Sequence, residues 1–135
     1  MKTIHPDMEK LPDIFSKLPM DKPIVMVNLL KFKEIAVYKD GPADYSGRKA
    51  YGYYAETLVT MLKTYGASVV YLGDVHGLLI SPPDESWDEV LLVRYPSVPV
   101  FIEMVESPSY KAVVKHRTAA LEDSRLIATV ETAGL

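Results

Sequence analysis

The segment Ile24-Val25-Met26-Val27-Asn28-Leu29-Leu30-Lys31-Phe32 is apolar on both of its alternating sides. Successive side chains of an extended chain point to opposite faces, so Ile24, Met26, Leu30 and Phe32 share one parity and Val25, Val27 and Leu29 the other. The pattern recurs further on, with Val90 and Leu92 on one side and Leu91 and Val93 on the other. An antiparallel sheet with one wetted face alternates apolar with polar residues, and that alternation is missing here. Helices of the same chain can cover one face. Covering the other calls for a second copy packed sheet against sheet as a C2 dimer, or for an N-terminal helix or the 34–47 loop folded over it. Monomers rarely expose so much contiguous apolar surface, and the homodimer is the expectation carried forward.

The rest of the chain supplies the covering helices. Met8, Leu11, Phe15 and Leu18 recur at helical spacing over residues 7–18, although Pro12 limits the regularity. Residues 34–47 carry Gly41, Pro42, Asp44, Ser46 and Gly47, which is loop chemistry. A helix is predicted from Gly47 to Tyr65, ended by Gly66, with Tyr51, Tyr54, Leu58 and Met61 along one stripe. Residues 68–80 read as a bent strand, bulged at a glycine. A turn spans 81–86, and Trp87 to Tyr95 is a strand stopped by Pro96. Ser97 caps a short helix over 98–106, and Ser107-Pro108 restarts it toward Asp123. The last strand runs from Arg125 to Thr132. Residues 1–23 thus form an N-terminal helical extension, and residues 24–135 one α+β domain of order β-α-β-β-α-β. That order is the ferredoxin-like pattern, an antiparallel sheet with two helices on one face.

Composition excludes several function classes. Lys plus Arg is 15 and Asp plus Glu is 18, a net charge of −3, with no long basic run, which argues against a nucleic-acid module. No cysteine is present, so disulfides, thiolate nucleophiles and Cys-ligated metal centres are ruled out. The N-terminus lacks the apolar stretch of a signal peptide. The apolar run at 24–30 is interrupted by Asn28 and falls far short of the ~20 residues needed to span a bilayer. A cytoplasmic protein without membrane contact is expected. No glycine-rich phosphate cradle occurs, and no His-x-x-x-His or Glu-x-x-His spacing suggests a metal.

Several segments together resemble a known family. These are Val27-Asn28-Leu29-Leu30-Lys31-Phe32, Gly47-Arg48-Lys49-Ala50-Tyr51-Gly52-Tyr53-Tyr54, Trp87-Asp88-Glu89-Val90, Arg94-Tyr95-Pro96-Ser97, Ser107-Pro108-Ser109-Tyr110 and His116-Arg117-Thr118-Ala119-Ala120-Leu121. Over roughly residues 24–132 the chain resembles the domain of unknown function 1330 family, within the dimeric α/β-barrel superfamily. The resemblance implies a ferredoxin-like protomer assembled as a dimeric α/β barrel. Superfamily relatives include cofactor-independent monooxygenases, haem-degrading enzymes, muconolactone isomerase and stress-response proteins, so it implies a fold and not a reaction.

The residues able to carry chemistry are few. Asn28 sits mid-strand among apolar neighbours, where its amide either bonds a neighbouring loop or points into a pocket between sheet and helices. Arg117 shares a helix face with Tyr110, Val113, Val114 and Leu121, so an inward guanidinium needs a partner. Asp88, Asp74, Glu89 and Asp123 are the candidates for a structural ion pair, and an anionic ligand is the alternative. His116 lies beside it and could move protons near neutral pH, or simply be a structural histidine. Asp74 and His76 stand two apart on the predicted strand and so face one way. Tyr54, central on its helix, and Trp87 are pocket candidates, although tyrosine stripes are more often core. If the Val90–Leu92 face meets a partner sheet, Arg94 should pair with an acid across it.

The resulting reading is a homodimer that binds a small organic molecule, apolar or aromatic, between sheet and helices. It leaves open a metal-independent enzyme of monooxygenase or isomerase type, with Asn28 and His116 catalytic and Asn28, Tyr54, Arg117 and Trp87 binding. The alternative is a non-catalytic dimeric module of structural or stress type without pocket chemistry. No cofactor is predicted, and haem held by His116 or His76 is a third reading.

Overall fold

The computed structural model describes residues 1–134, so Leu135, the last residue of the expected domain, lies outside it. The order of elements is α1 (Leu11–Ser16), β1 (Ile24–Phe32), β2 (Val37–Tyr38), β3 (Gly41–Pro42), α2 (Gly47–Thr64), β4 (Ser68–Asp74), β5 (Glu89–Tyr95), α3 (Val98–Glu106), α4 (Pro108–Ala120) and β6 (Leu121–Thr129). The main sheet has strand order β4-β5-β1-β6, antiparallel throughout. This is the ferredoxin-like arrangement the element order predicts, with the strand richest in apolar residues at its centre.

One sheet face and the helices make the core. Ile24, Met26 and Leu30 of β1 and Leu91, Val93 and Tyr95 of β5 are buried with Tyr51, Tyr54, Leu58 and Leu62 of α2 and with Met104 and Val113 of α3 and α4. Ser46 caps α2 by accepting from the Lys49 amide at 3.0 Å. Gly47 lets that helix start against the end of β1, because a Cβ there would lie 2.4 Å from Lys33 O and 2.5 Å from Ala120 O. Gly66, at φ +71°, ends the helix in the left-handed region that glycine enters without strain.

On the other face, register sets Val27 opposite Leu92 and Ile127, and Leu29 opposite Val90 and Arg125. Neither α1 nor the 34–47 loop closes this face, since Tyr71 and Ile127 stay 57% and 47% exposed. α1 itself fully buries no residue, although its Phe15 packs partly against the core, as do Ile4 and Leu18 on either side of the helix.

Several expectations change, among them the last strand, which runs from Leu121 to Thr129 rather than from Arg125 to Thr132. The helix predicted over 7–18 is only six residues long, with Met8 exposed. The strand predicted over 68–80 stops at Asp74, because its partner begins at Glu89 and the last link is Val75 N to Asp88 O at 2.9 Å. Its bulge falls between Val69 and Tyr71 rather than at a glycine. The second helix stops at Ala120 instead of Asp123, since Ala120 O accepts from Lys33 N at 2.8 Å and fully buried Leu121 already pairs with Phe32.

Candidate functional site

Between α2, α4 and the sheet the chain gathers phenols around one arginine. Tyr54 is 5% exposed, and its hydroxyl meets that of Tyr110 at 2.9 Å. Tyr51 tilts against Tyr54 with ring centroids 5.2 Å apart, and Tyr54 meets Tyr110 edge to face at 6.0 Å. Burial pushes the pKa values of Tyr51, Tyr54 and Tyr95 well above the ordinary tyrosine value, against the opposing pull of the Arg117 charge on Tyr51 and Tyr54. These phenols therefore stay protonated at neutral pH, able to donate hydrogen bonds but not to act as phenolates.

Arg117 does not make the ion pair its position suggests. Its Nη1 donates to Ile4 O at 2.7 Å and its Nη2 to Ser124 Oγ at 3.5 Å, and among the described residues no carboxylate lies within ion-pair distance. Each expected partner is committed elsewhere. Asp88 accepts from the Phe32 amide at 2.8 Å, Asp74 and Glu89 take Arg48 at 3.4 and 3.2 Å, and Asp123 takes Arg125 at 2.7 Å. A guanidinium satisfied only by neutral oxygens keeps most of its affinity for an anion.

Asn28 faces the helix side of β1, where its Nδ2 donates to Leu91 O at 3.1 Å. The amide thus ties the two central strands together. Trp87 is buried near the start of β5, and the Arg125 guanidinium stacks over its ring at 5.1 Å. It also edges an open depression of about 490 Å³ under the 75–87 loop, with His76 and Glu85. A smaller depression of about 130 Å³ lies among Lys22, Val25, Arg94 and Glu131. Neither of these two is lined by Asn28, Tyr54 or Arg117. Arg94 approaches Glu131 of its own chain at 3.8 Å. Because β4 ends at Asp74, strand alternation does not carry on to His76, which is exposed in the loop.

His116 turns away from Arg117, toward the β2–β3 hairpin. Tyr45 donates to the Tyr38 hydroxyl at 2.9 Å, and Tyr38 reaches His116 Nδ1 at 2.6 Å. Since Tyr38 already accepts from Tyr45, its own proton is directed to the imidazole, which accepts in its neutral form. Burial, and then the Lys115 charge, hold His116 below the ordinary histidine value and favour that form. Tyr53 packs on the same ring at 5.7 Å. The sequence signal for this cluster was two tyrosines in a loop that also holds Gly41, Pro42 and Asp44, and loop chemistry alone does not pair them with a helix.

The predicted residues thus fall into separate places. Tyr54 and Arg117 lie near enough for the arginine charge to act on the phenol, and His116 heads a relay on another side of α4. Trp87 belongs to the Arg125 stack, and Asn28 to the strand ladder. Sequence reasoning missed Tyr38, Tyr45 and Ser124. Among the described residues no three His, Asp or Glu side chains converge as a metal would require, and no helix is long and apolar enough to cross a membrane.

The model of the family described as Domain of unknown function (DUF1330) matches residues 41–131. A solved protein of unknown function from Rhodopseudomonas palustris is 36% identical, with a TM-score of 0.89 and 98% of each chain covered. A dimeric protein of unknown function and ferredoxin-like fold from Bacteroides fragilis is similar at 12% identity and TM-score 0.52, covering 84% of this chain and all (100%) of that one. SnoaB, a cofactor-independent oxygenase from Streptomyces nogalater, is similar at 11% identity and TM-score 0.50, covering 84% and 99%. At those identities the likeness is one of fold. No curated protein matches the chain.

Proposed function

This chain belongs to the domain of unknown function 1330 family, and from that premise we propose that it is a homodimer whose protomers each bind a small organic molecule beside Arg117 and the Tyr54–Tyr110 phenol pair. The observation that carries the reading is the half-buried Arg117 guanidinium, which has only neutral acceptors while every nearby acid is spoken for. The ligand it suits has an anionic group for the arginine and an apolar or aromatic body for the tyrosine wall. The open apolar sheet face supports the dimer, since Val27, Leu29, Val90, Leu92 and Ile127 form one surface that a second copy would cover.

If the bound molecule is also turned over without a metal, the groups beside it are Arg117 and the Tyr54–Tyr110 phenols, since His116 points to Tyr38 on another side of α4 and the Asn28 amide is engaged by Leu91 O. A cofactor-independent oxygenase shares the fold, which supports nothing finer than that possibility of design. The second reading, a non-catalytic dimeric module, draws support from a different observation. No buried side-chain polar atom among the described residues lacks a partner, and the polar ends of Asn28 and Tyr54 are already bonded within the chain.

Calorimetric titration with benzoate and with its neutral amide separates the two. Benzoate should bind, benzamide at least tenfold more weakly, and Arg117→Gln should abolish the difference. Equal or absent binding of both compounds in the wild-type protein would leave the non-catalytic module standing.

A further inference from the structure

The first five residues form a strap along the edge strand β6, and its placement over Arg117 follows a pattern. Ser124 Oγ donates to Thr3 O at 2.8 Å and Arg117 Nη1 donates to Ile4 O at 2.7 Å. Two donors side by side on the protein are thus met by two consecutive backbone carbonyls. Ser124 is 4% exposed, so its hydroxyl has been taken out of water and needs an acceptor in place. Both donors would equally serve the two oxygens of one carboxylate. An anion would bind them more strongly than two neutral carbonyls, because the guanidinium would gain an opposite charge and the Ser124 bond would become charge-assisted.

The strap's remaining hold is of a kind that lets go. Thr3 N donates to Asp123 Oδ1 at 2.9 Å, and Thr3 Oγ1 to Ser124 O at 2.5 Å. Arg125 donates to Thr3 Oγ1 at 2.8 Å and to Met1 O at 3.0 Å, and Lys2 pairs with Glu122. Most of these bonds are at exposed positions, and Ile4 alone leans on the core. Exposed pairs of this sort are each worth little and are screened by salt.

We propose that the Thr3–Ile4 strap is an internal stand-in for a carboxylate, and that a small carboxylate ligand binds Arg117 and Ser124 by displacing it. The proposal rests on the binding reading above and adds the ligand's chemical class and a gate. The strap keeps the two donors satisfied when no ligand is present. It lowers apparent affinity by the fraction of time it is closed, so that only ligands able to outbid two carbonyls gain entry.

The test uses the full chain with benzoate as probe, followed by calorimetry and by hydrogen exchange at the amides of residues 3–5. Saturating benzoate should speed exchange of those amides, and Lys2→Ala/Thr3→Ala, which loosens the strap while leaving the Arg117 and Ser124 side chains in place, should bind benzoate about tenfold more tightly. Ser124→Ala should weaken binding in both backgrounds. Benzoate binding that depends on Arg117 but leaves strap exchange and the double variant's affinity unchanged would overturn the gate and keep the site. Loss of any Arg117-dependent binding, in wild type and double variant alike, would overturn both.

Discussion

His116 shows how much a single side chain's surroundings decide. Its folded-state proton affinity lies below the ordinary value of 6.5, because burial and the Lys115 charge both disfavour the imidazolium. The unfolded chain therefore binds more protons through that range, and stability must fall as pH drops below about 6.5 toward the folded value. Tyr38 works in the same direction, since its proton needs the neutral Nδ1 lone pair. His116→Phe should flatten the decline of the urea midpoint between pH 7 and pH 5, and a slope identical to wild type would show that the relay has no such role. Arg117 teaches the complementary lesson. Its inward aim could be read from the spacing with Tyr110, Val113 and Leu121, whereas its partner Ile4 stands 113 residues away and belongs to no periodic pattern. A helical stripe says which way a side chain points, but only the folded chain says what it meets.

At the level of elements, the junction of α3 and α4 was fully legible. Ser107 donates to Met104 O at 2.6 Å, closing one helix, and accepts from Tyr110 N at 3.2 Å, opening the next. A serine followed by proline is enough to predict both, because capping and proline's fixed φ are local effects. Ser107→Ala should cost about 1–2 kcal/mol in unfolding free energy, measured by urea denaturation, with the loss shared between the two helix ends. The α4–β6 boundary was not legible. Helical spacing continues past Ala120 in the sequence, and what stops the helix is Lys33 N reaching for Ala120 O together with the burial of Leu121. For β4 the limit is likewise imposed by a neighbour, as the strand ends where β5 ceases to offer a partner.

For the molecule as a whole, the sheet is the governing element. Its helix-facing side is closed within the protomer, and its other side presents Val27, Leu92 and Ile127 in one row with Tyr71 still exposed. Covering that row is what the proposed dimer accomplishes. Ile127→Glu, at a position 47% exposed in the protomer, should leave the fold intact by circular dichroism and convert the dimer to a monomer in sedimentation velocity at micromolar concentration. A wild-type chain that sediments as a monomer under the same conditions would remove the dimer from the proposal. The strap and the Arg117 site lie toward β6 and α4, so a monomeric variant that still binds benzoate would place binding within the protomer.

The sequence by itself determined the ferredoxin-like order of strands and helices, the central strand and its two apolar faces, and the serine caps that open α2, α3 and α4. These follow from short-range rules, in which side-chain alternation, helical spacing and turn residues act over a few positions. Tertiary structure alone decided which acid went to which arginine, that Tyr38 and Tyr45 would lead to His116, and that a strap from the N-terminus would settle on Ser124 and Arg117. Those pairings join residues far apart in the chain, where many partners of equal chemistry compete and distance in the folded state selects among them.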